Sequence, residues 1–409
     1  MKEFFKVTDL PGVLKYASLF PRVATEHVTL NQATGRILAE DIVSDIDLPD
    51  FPKSIMDGYA VGASSTFGAT EGNPAYLDMI GAIAMGETPD FSIGRGQAAR
   101  ISTGGMLPDG ADSVVMIENS EILDDSSIEV YRSVAPGQNI LELGEDIQKG
   151  GALLSNGQRV RPQETGLLAA LGRRTVCIYK KPVIGIISTG DEVVPVDVKP
   201  ALGQIRDINT YTLSGLVEKT GAIPLTYGIV KDNIDDLFET CKLAHLQSDM
   251  VLISGGSSVG TRDFTIDVLS AMSDSRILVH GISISPGKPT ILAESQHKAV
   301  WGLPGHVVSA MIVFHIVVMP FIEHISGLNT AGSKGIKLPA VLNRNVSSAQ
   351  GRTDFVRVRL IEKNGDLFAE PILGKSGLIH TMLQADGLIE IGVNTEGLDK
   401  GSDVKVMLL

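Results

Sequence analysis

The chain has 409 residues, too many for a single core, and 43% hydrophobic with 20% charged residues is the composition of a soluble globular protein. A net charge of -13 argues against bulk electrostatic capture of nucleic acid or of an acidic membrane surface, so an anionic ligand must be met by local Lys, Arg and backbone N–H groups. Only Cys177 and Cys241 are present, without CxxC spacing, which speaks against a disulfide scaffold, a zinc finger or an iron–sulfur cluster and fits a reducing compartment.

In chain order, the start Met1-Lys2-Glu3-Phe4-Phe5-Lys6 lacks the apolar run of a secretory signal. Val13, Leu14, Ala17 and Leu19 have helical spacing, and Ile37 and Leu38 follow Gly35. From about residue 46 to 136 the chain is rich in Gly, Pro and short β-prone runs such as 76–80 and 113–117, and reads as a β-rich inserted domain with long loops. Residues 137–181 carry the turns Gly150-Gly151 and Asn156-Gly157 and a helix from Pro162 to Leu171 that ends at Gly172. With residues 1–45 they form the expected N-terminal domain.

Residues 182–326 alternate between strand and helix. Val183–Ile187 is a buried strand and Asn209–Thr220 a helix closed by Gly221. A second helix covers 233–246, Met250–Ile253 is another buried strand, and a helix follows from Phe264 to Met272. This predicts a doubly wound α/β domain with a parallel sheet covered on both faces and ligands at the strand C-termini. The apolar run Val307–Ile322 carries His315 and is shorter than the ~20 residues of a membrane span, so a buried helix is expected. Residues 327–409 form the last domain, a small β-barrel or sandwich, because 355–360 alternate with period two. The expected protein is cytoplasmic, with no nucleic-acid or membrane partner.

The strongest chemical signal is Ser254-Gly255-Gly256-Ser257-Ser258-Val259-Gly260 after a buried strand. Glycines let backbone N–H groups turn toward an anion and the hydroxyls add donors, though Gly-Ser clusters also serve as plain turns. It is neither a Walker A loop nor GxGxxG. Asp263 beyond it is a metal ligand or an ordinary N-cap, and the same pair of readings holds for Glu192 in Thr189-Gly190-Asp191-Glu192 and for Asp207 before the next helix. Three acidic positions at equivalent strand-to-helix junctions weigh toward a metal. Lys288, between Pro286 and Pro289, is a cation on a stiff loop. Pro304, Gly305 and His306 precede the apolar helix, with His306 either a ligand contact or a cap-region histidine. In the inserted domain, 54–60 with Asp57 and 100–105 with Thr103 read as two ligand-facing loops. Glu145-Asp146 is by default a solvated turn.

The strings SIMDGYAV, RISTGGMLPDGADSVVMIE, GEDI, STGDEV, RDINTYTLSGLVEKTGA, SGGSSVGTRDFT, SPGKPT, GLPG and SGLIHTMLQADGLIEI, in this order, resemble the molybdopterin molybdenumtransferases, the MoeA family that includes the gephyrin E domain. The resemblance spans nearly the whole chain. It implies a multidomain α/β plus β homodimer of four subdomains that inserts molybdenum from molybdate into adenylylated molybdopterin, releasing AMP with Mg²⁺. It further implies catalytic positions at Asp57, Thr103, Glu145 or Asp146, Glu192, Asp207 and Asp263, the last three as metal ligands, with Lys288 and Pro304 at the substrate. The second domain of a partner subunit is implied to complete the cleft, and an adenylyltransferase and recipient molybdoenzymes are implied as partners. Two departures stand out: Ser285 replaces the first lysine of the family's Lys-Pro-Gly-Lys-Pro, and His306-Val307 replaces an Asn-Pro or His-Pro. Either could tune the oxyanion preference, tungstate over molybdate included. The rival readings are the adenylyltransferase step itself and a scaffold that binds partner peptides.

Overall fold

The computed structural model describes residues 7–255, 264–329 and 337–409, which form two compact units. The first holds the described residues of Met1–Glu40, Asn156–Gly166 and Arg173–Leu409, the second Asp41–Ser155 and Leu167–Gly172.

The first unit is built on a six-stranded sheet. Its elements are β1 (Val183–Thr189), α1 (Asn209–Thr220), β2 (Ile223–Val230), α2 (Ile234–Gln247), β3 (Met250–Ser254), α3 (Phe264–Ala271), β4 (Ser275–His280), β5 (Ile291–Ser295), β6 (Lys298–Leu303) and α4 (Val307–Val313). The strand order is β2-β1-β3-β6-β5-β4. Pairings among β2, β1, β3 and β6 are parallel, while β5 runs antiparallel to both of its neighbours, β6 and β4. The expectation of a parallel sheet is therefore corrected to a mixed one. The hairpin responsible turns at Gln296 and His297, both at positive φ, where no glycine or asparagine announces it.

The unbroken apolar run of β3 has a direct cause. Met250 and Leu252 pack into one core with Ile184, Trp301 and Phe321, while Val251 and Ile253 pack into another with Leu237, Cys241 and Val268. A strand covered on both faces has no polar side to alternate with. Helix α1 stops where Gly221 takes φ 91°, and α2 starts at Asn233, whose side chain accepts the N–H groups of Asp235 and Asp236. After α4 the helix widens into a π segment at Phe314–Val318 and resumes as α over Met319–Ile325. Val307–Ile325 is long and apolar enough to span a membrane, but most of it is buried within the protein, as expected for a core helix.

The last part of the chain is a five-stranded barrel, closed by the pairing of Thr353–Lys363 with both Asp366–Pro371 and Gly387–Ile391. The short strand Ile284–Ser285 adds to it in parallel, with Ser285 opposite Asp354. Near the start, Leu10–Lys15 is helical, capped by Asp9, and a 3₁₀ turn continues to Leu19. Ile37 and Leu38 form extended bridges to Arg159 and Ile178, because Gly35 at φ 84° turns the chain first.

The second unit carries its own six-stranded sheet, in which Gly58–Val61 lies between Ser113–Met116 and Gln97–Ile101. Gly58 is required there: a Cβ would stand 1.9 Å from the Val115 carbonyl oxygen.

Candidate active site

The C-terminal ends of β1, β3 and β6 open into a cavity of about 740 Å³ in the first unit, the side where α/β sheets bind ligands. Loop 285–289 and two barrel segments, at Arg352 and at Ser376-Gly377, complete its wall.

Close approach of the strand-end loops depends on glycine. Gly255 sits at φ 111°, and a Cβ there would lie 2.1 Å from the Thr189 carbonyl oxygen. The next loop, at Gly305, comes within 3.6 Å of the Gly255 Cα from the position its own Cβ would occupy. Asn209, in the first turn of α1, ties these loops together. Its Nδ2 donates to Ser254 Oγ at 2.6 Å and to the Gly305 carbonyl at 2.8 Å. Its Oδ1 is buried with no hydrogen-bond partner among the described residues.

Three carboxylates reach the cavity from strand ends. Asp207 is buried, and its Oδ1 accepts from Ser188 Oγ at 3.0 Å and from the Thr210 N–H at 3.1 Å. It thus caps α1 from one residue outside, and its second oxygen is left for a ligand. Glu192 is exposed, with its carboxylate folded over Gly190 at a distance that a Cβ would foul (2.7 Å). Asp232 accepts from Thr189 Oγ1 at 3.0 Å. Among the described residues no three His, Cys, Asp or Glu side chains already form a closed metal cage. Two carboxylates facing a substrate phosphate are nevertheless what Mg²⁺ commonly uses, so the donor set fits that ion.

The cations come from other parts of the chain. Lys288 and Arg206 line the cavity, the latter donating from Nε to the Val196 carbonyl at 2.9 Å. Arg352 arrives from the barrel, held by Asp354 at 2.9 Å. The neighbouring loop is fixed by Arg357, a buried guanidinium that donates to the Gly374 carbonyl at 2.7 Å and to Thr381 Oγ1, and whose pKa is lowered by burial. That loop meets α4 twice: Val308 N–H donates to the Ser376 carbonyl at 3.1 Å, and Ser376 Oγ lies 2.9 Å from His306 Nδ1. The Ser376 carbonyl thus satisfies one of the N-terminal N–H groups of the helix.

Of the residues singled out in the sequence, Glu192, Asp207, Gly255, Lys288, Pro304, Gly305 and His306 line this cavity, with Ser254 beside them. Gly256, Ser257, Ser258, Gly260 and Asp263 lie outside the described residues. Asp57, Thr103, Glu145 and Asp146 belong to the second unit. There Thr103 donates to Asp57 Oδ1 through its N–H (2.7 Å) and its hydroxyl (3.1 Å), and Gly104 N–H donates to the Ser54 carbonyl at 2.8 Å, so the two expected loops are locked together. Glu145 accepts the Glu142 N–H at 2.8 Å, a turn contact. Arg206, Asn209, Asp232, Arg352 and Ser376 were not singled out as ligand contacts. Arg206, Asn209 and Ser376 fall inside the strings that carry the family resemblance, whereas Asp232 and Arg352 lie outside them.

Comparison with known proteins covers the same ground. Residues 10–172 match the MoeA N-terminal region (domains I and II), 185–324 a probable molybdopterin binding domain, and 339–409 the MoeA C-terminal region (domain IV). A putative molybdopterin biosynthesis protein of Methanocaldococcus jannaschii is 39% identical over 94% of this chain and 92% of its own. The molybdopterin molybdenumtransferase of Bacillus subtilis is 34% identical over 94% and 90%. A crystal structure of the molybdopterin biosynthesis MoeA protein of Pyrococcus horikoshii OT3 aligns with a TM-score of 0.85 at 32% identity, covering 99% of this chain and 100% of that one.

Proposed function

Because the chain belongs to the MoeA family and is a molybdenum transferase of molybdenum cofactor biosynthesis, we propose that its cavity takes molybdate and adenylylated molybdopterin and releases AMP with the help of Mg²⁺. The observation that carries this reading is the pairing, in one cavity, of carboxylates at the strand ends with cations from loop 285–289 and the barrel.

The chemistry asks for positioning more than for covalent work by the protein. An oxyanion and a phosphoanhydride are both negative, and Glu192 and Asp207 would repel them in the absence of a cation. Glu192 and Asp207, with Asp263 as the third ligand of the proposal, would hold Mg²⁺, which would neutralise charge and polarise the phosphoanhydride. Lys288 and Arg352, which line the same cavity, attract the oxyanion. Ser254 and the Gly255 backbone form the edge of the phosphate loop, and Asn209 keeps that edge in register with Gly305. Donors fixed in this way need little reorganisation as charge develops. Asp57 and Thr103 are proposed as a second substrate-facing pair, in the homodimer that the resemblance implies. A cytoplasmic setting, an adenylyltransferase that supplies the substrate and molybdoenzymes that receive the product belong to the same proposal.

The test is AMP release from adenylylated molybdopterin with and without molybdate. Release that requires both molybdate and Mg²⁺ and stops in excess EDTA supports the reading. Consumption of ATP with unadenylylated molybdopterin and no oxyanion would instead identify the adenylyltransferase step. Peptide binding without insertion would identify a scaffold. A tungstate arm belongs in the same assay, since Ser285 stands where the family has lysine and its strand partner Asp354 is two residues from Arg352.

A further inference from the structure

His306 stands where the family has Asn or His, and the structure gives it a defined place. It lines the cavity, is exposed to it, and directs Nδ1 to Ser376 Oγ at 2.9 Å. The carbonyl of the same serine accepts the Val308 N–H at 3.1 Å, so Ser376 grips the chain on both sides of Val307. Nε2 has no protein partner among the described residues. A Ser376 hydroxyl that donates to Nδ1 selects the tautomer with its proton on Nε2, and a charged ring carries a proton there as well. A histidine held only for capping would aim a nitrogen at the helix N–H groups, yet the side chain makes no such bond. The cavity it faces also holds Lys288 and Arg352, two cations drawn from separate parts of the chain.

We propose that His306 is an anion-contacting residue of this cavity, oriented by Ser376 so that its Nε2 N–H donates to the bound oxyanion. The inference rests on the oxyanion-transfer reading above and adds to it an imidazole donor that the Asn-Pro form of this loop does not supply. Ser376 acts through His306 and is a positioning residue.

The experiment measures molybdate binding to the full chain by calorimetry at neutral pH, with inorganic phosphate as comparator, alongside ¹⁵N imidazole spectra in which H306N assigns the His306 signals. The expected result is a proton on Nε2 in the free protein and a shift of those signals on saturation with molybdate. H306N should bind molybdate about tenfold more weakly, as befits loss of a hydrogen bond to a charged ligand, and S376A about threefold more weakly. Matching melting temperatures exclude unfolding as the cause. Wild-type binding with H306N within twofold of it overturns the inference and leaves the proposed function standing. Binding of phosphate but not molybdate, with the same His306 shift, keeps the anion contact and overturns the molybdate reading. Neither anion binding would overturn both.

Discussion

Replacing Gly255 by alanine tests the claim that the cavity exists because two strand-end loops touch backbone to backbone. At φ 111° an L side chain is strained, by about 1–3 kcal/mol in comparable cases. The new Cβ would also lie 2.1 Å from the Thr189 carbonyl oxygen, so one loop must retreat by roughly 1 Å, an overpacking cost of about 1–3 kcal/mol. The sum, about 2–6 kcal/mol, corresponds to a fall in melting temperature of roughly 4–24 °C for a domain of this size. Gly305→Ala is the internal control: its Cβ meets nothing nearer than 3.6 Å, so its melting temperature should stay within a few degrees of wild type. Scanning calorimetry on both variants, with the KM for adenylylated molybdopterin, reads the effect. A Gly255→Ala protein that melts with the wild type and keeps its KM would refute the reasoning.

Other perturbations separate fold from chemistry. Asp207→Asn retains an acceptor for Ser188 and Thr210, so stability should hold while AMP release falls about 10–100-fold, the range seen when groups supporting a metal are altered. Asn209→Ala removes both donors that join Ser254 to Gly305, and should cost about 1–3 kcal/mol in chemical denaturation together with a higher substrate KM. His315 lies buried in the π segment, where burial first and Lys219 second lower its pKa from 6.5 to about 4. Between those values the unfolded chain binds a proton that the folded one refuses, so stability must fall as pH drops from about 6.5 to 4. The full loss is about 3 kcal/mol. His315→Gln should flatten that slope in urea melts, and an unchanged slope would mean that other groups set the acid limit.

The sequence carried the α/β part of the fold well because its signals are local. The apolar run at Val183–Ile187, the caps at Asn233 and Gly221, and the period-two pattern at 355–360 each reflect burial or backbone geometry within a few residues. The antiparallel hairpin of β5 and β6 escaped notice because its turn uses Gln296 and His297. Helical periodicity at the start extends only to Leu19, and nothing local marks Ile37 and Leu38 as bridge partners of residues more than a hundred positions away. In the site, residues on the strand-end loops were legible because glycine and acidic residues recur together at equivalent junctions, although each alone reads as a turn or a cap. The place of Arg352 and Ser376 was not, since they reach the cavity only through a barrel that starts beyond it in the chain, although Ser376 opens one of the strings of the resemblance. Asn209 looked like one more capping residue until its two acceptors, on separate loops, could be seen.

The most direct measurement is a single-turnover reaction of the purified chain with adenylylated molybdopterin, molybdate and Mg²⁺, following AMP released and molybdenum bound to the dithiolene in the same sample. The account predicts one AMP for each molybdenum inserted, no AMP without the oxyanion, and loss of both when Mg²⁺ is chelated. AMP released at the same rate in the absence of molybdate or tungstate, or insertion that proceeds in excess EDTA, would contradict it.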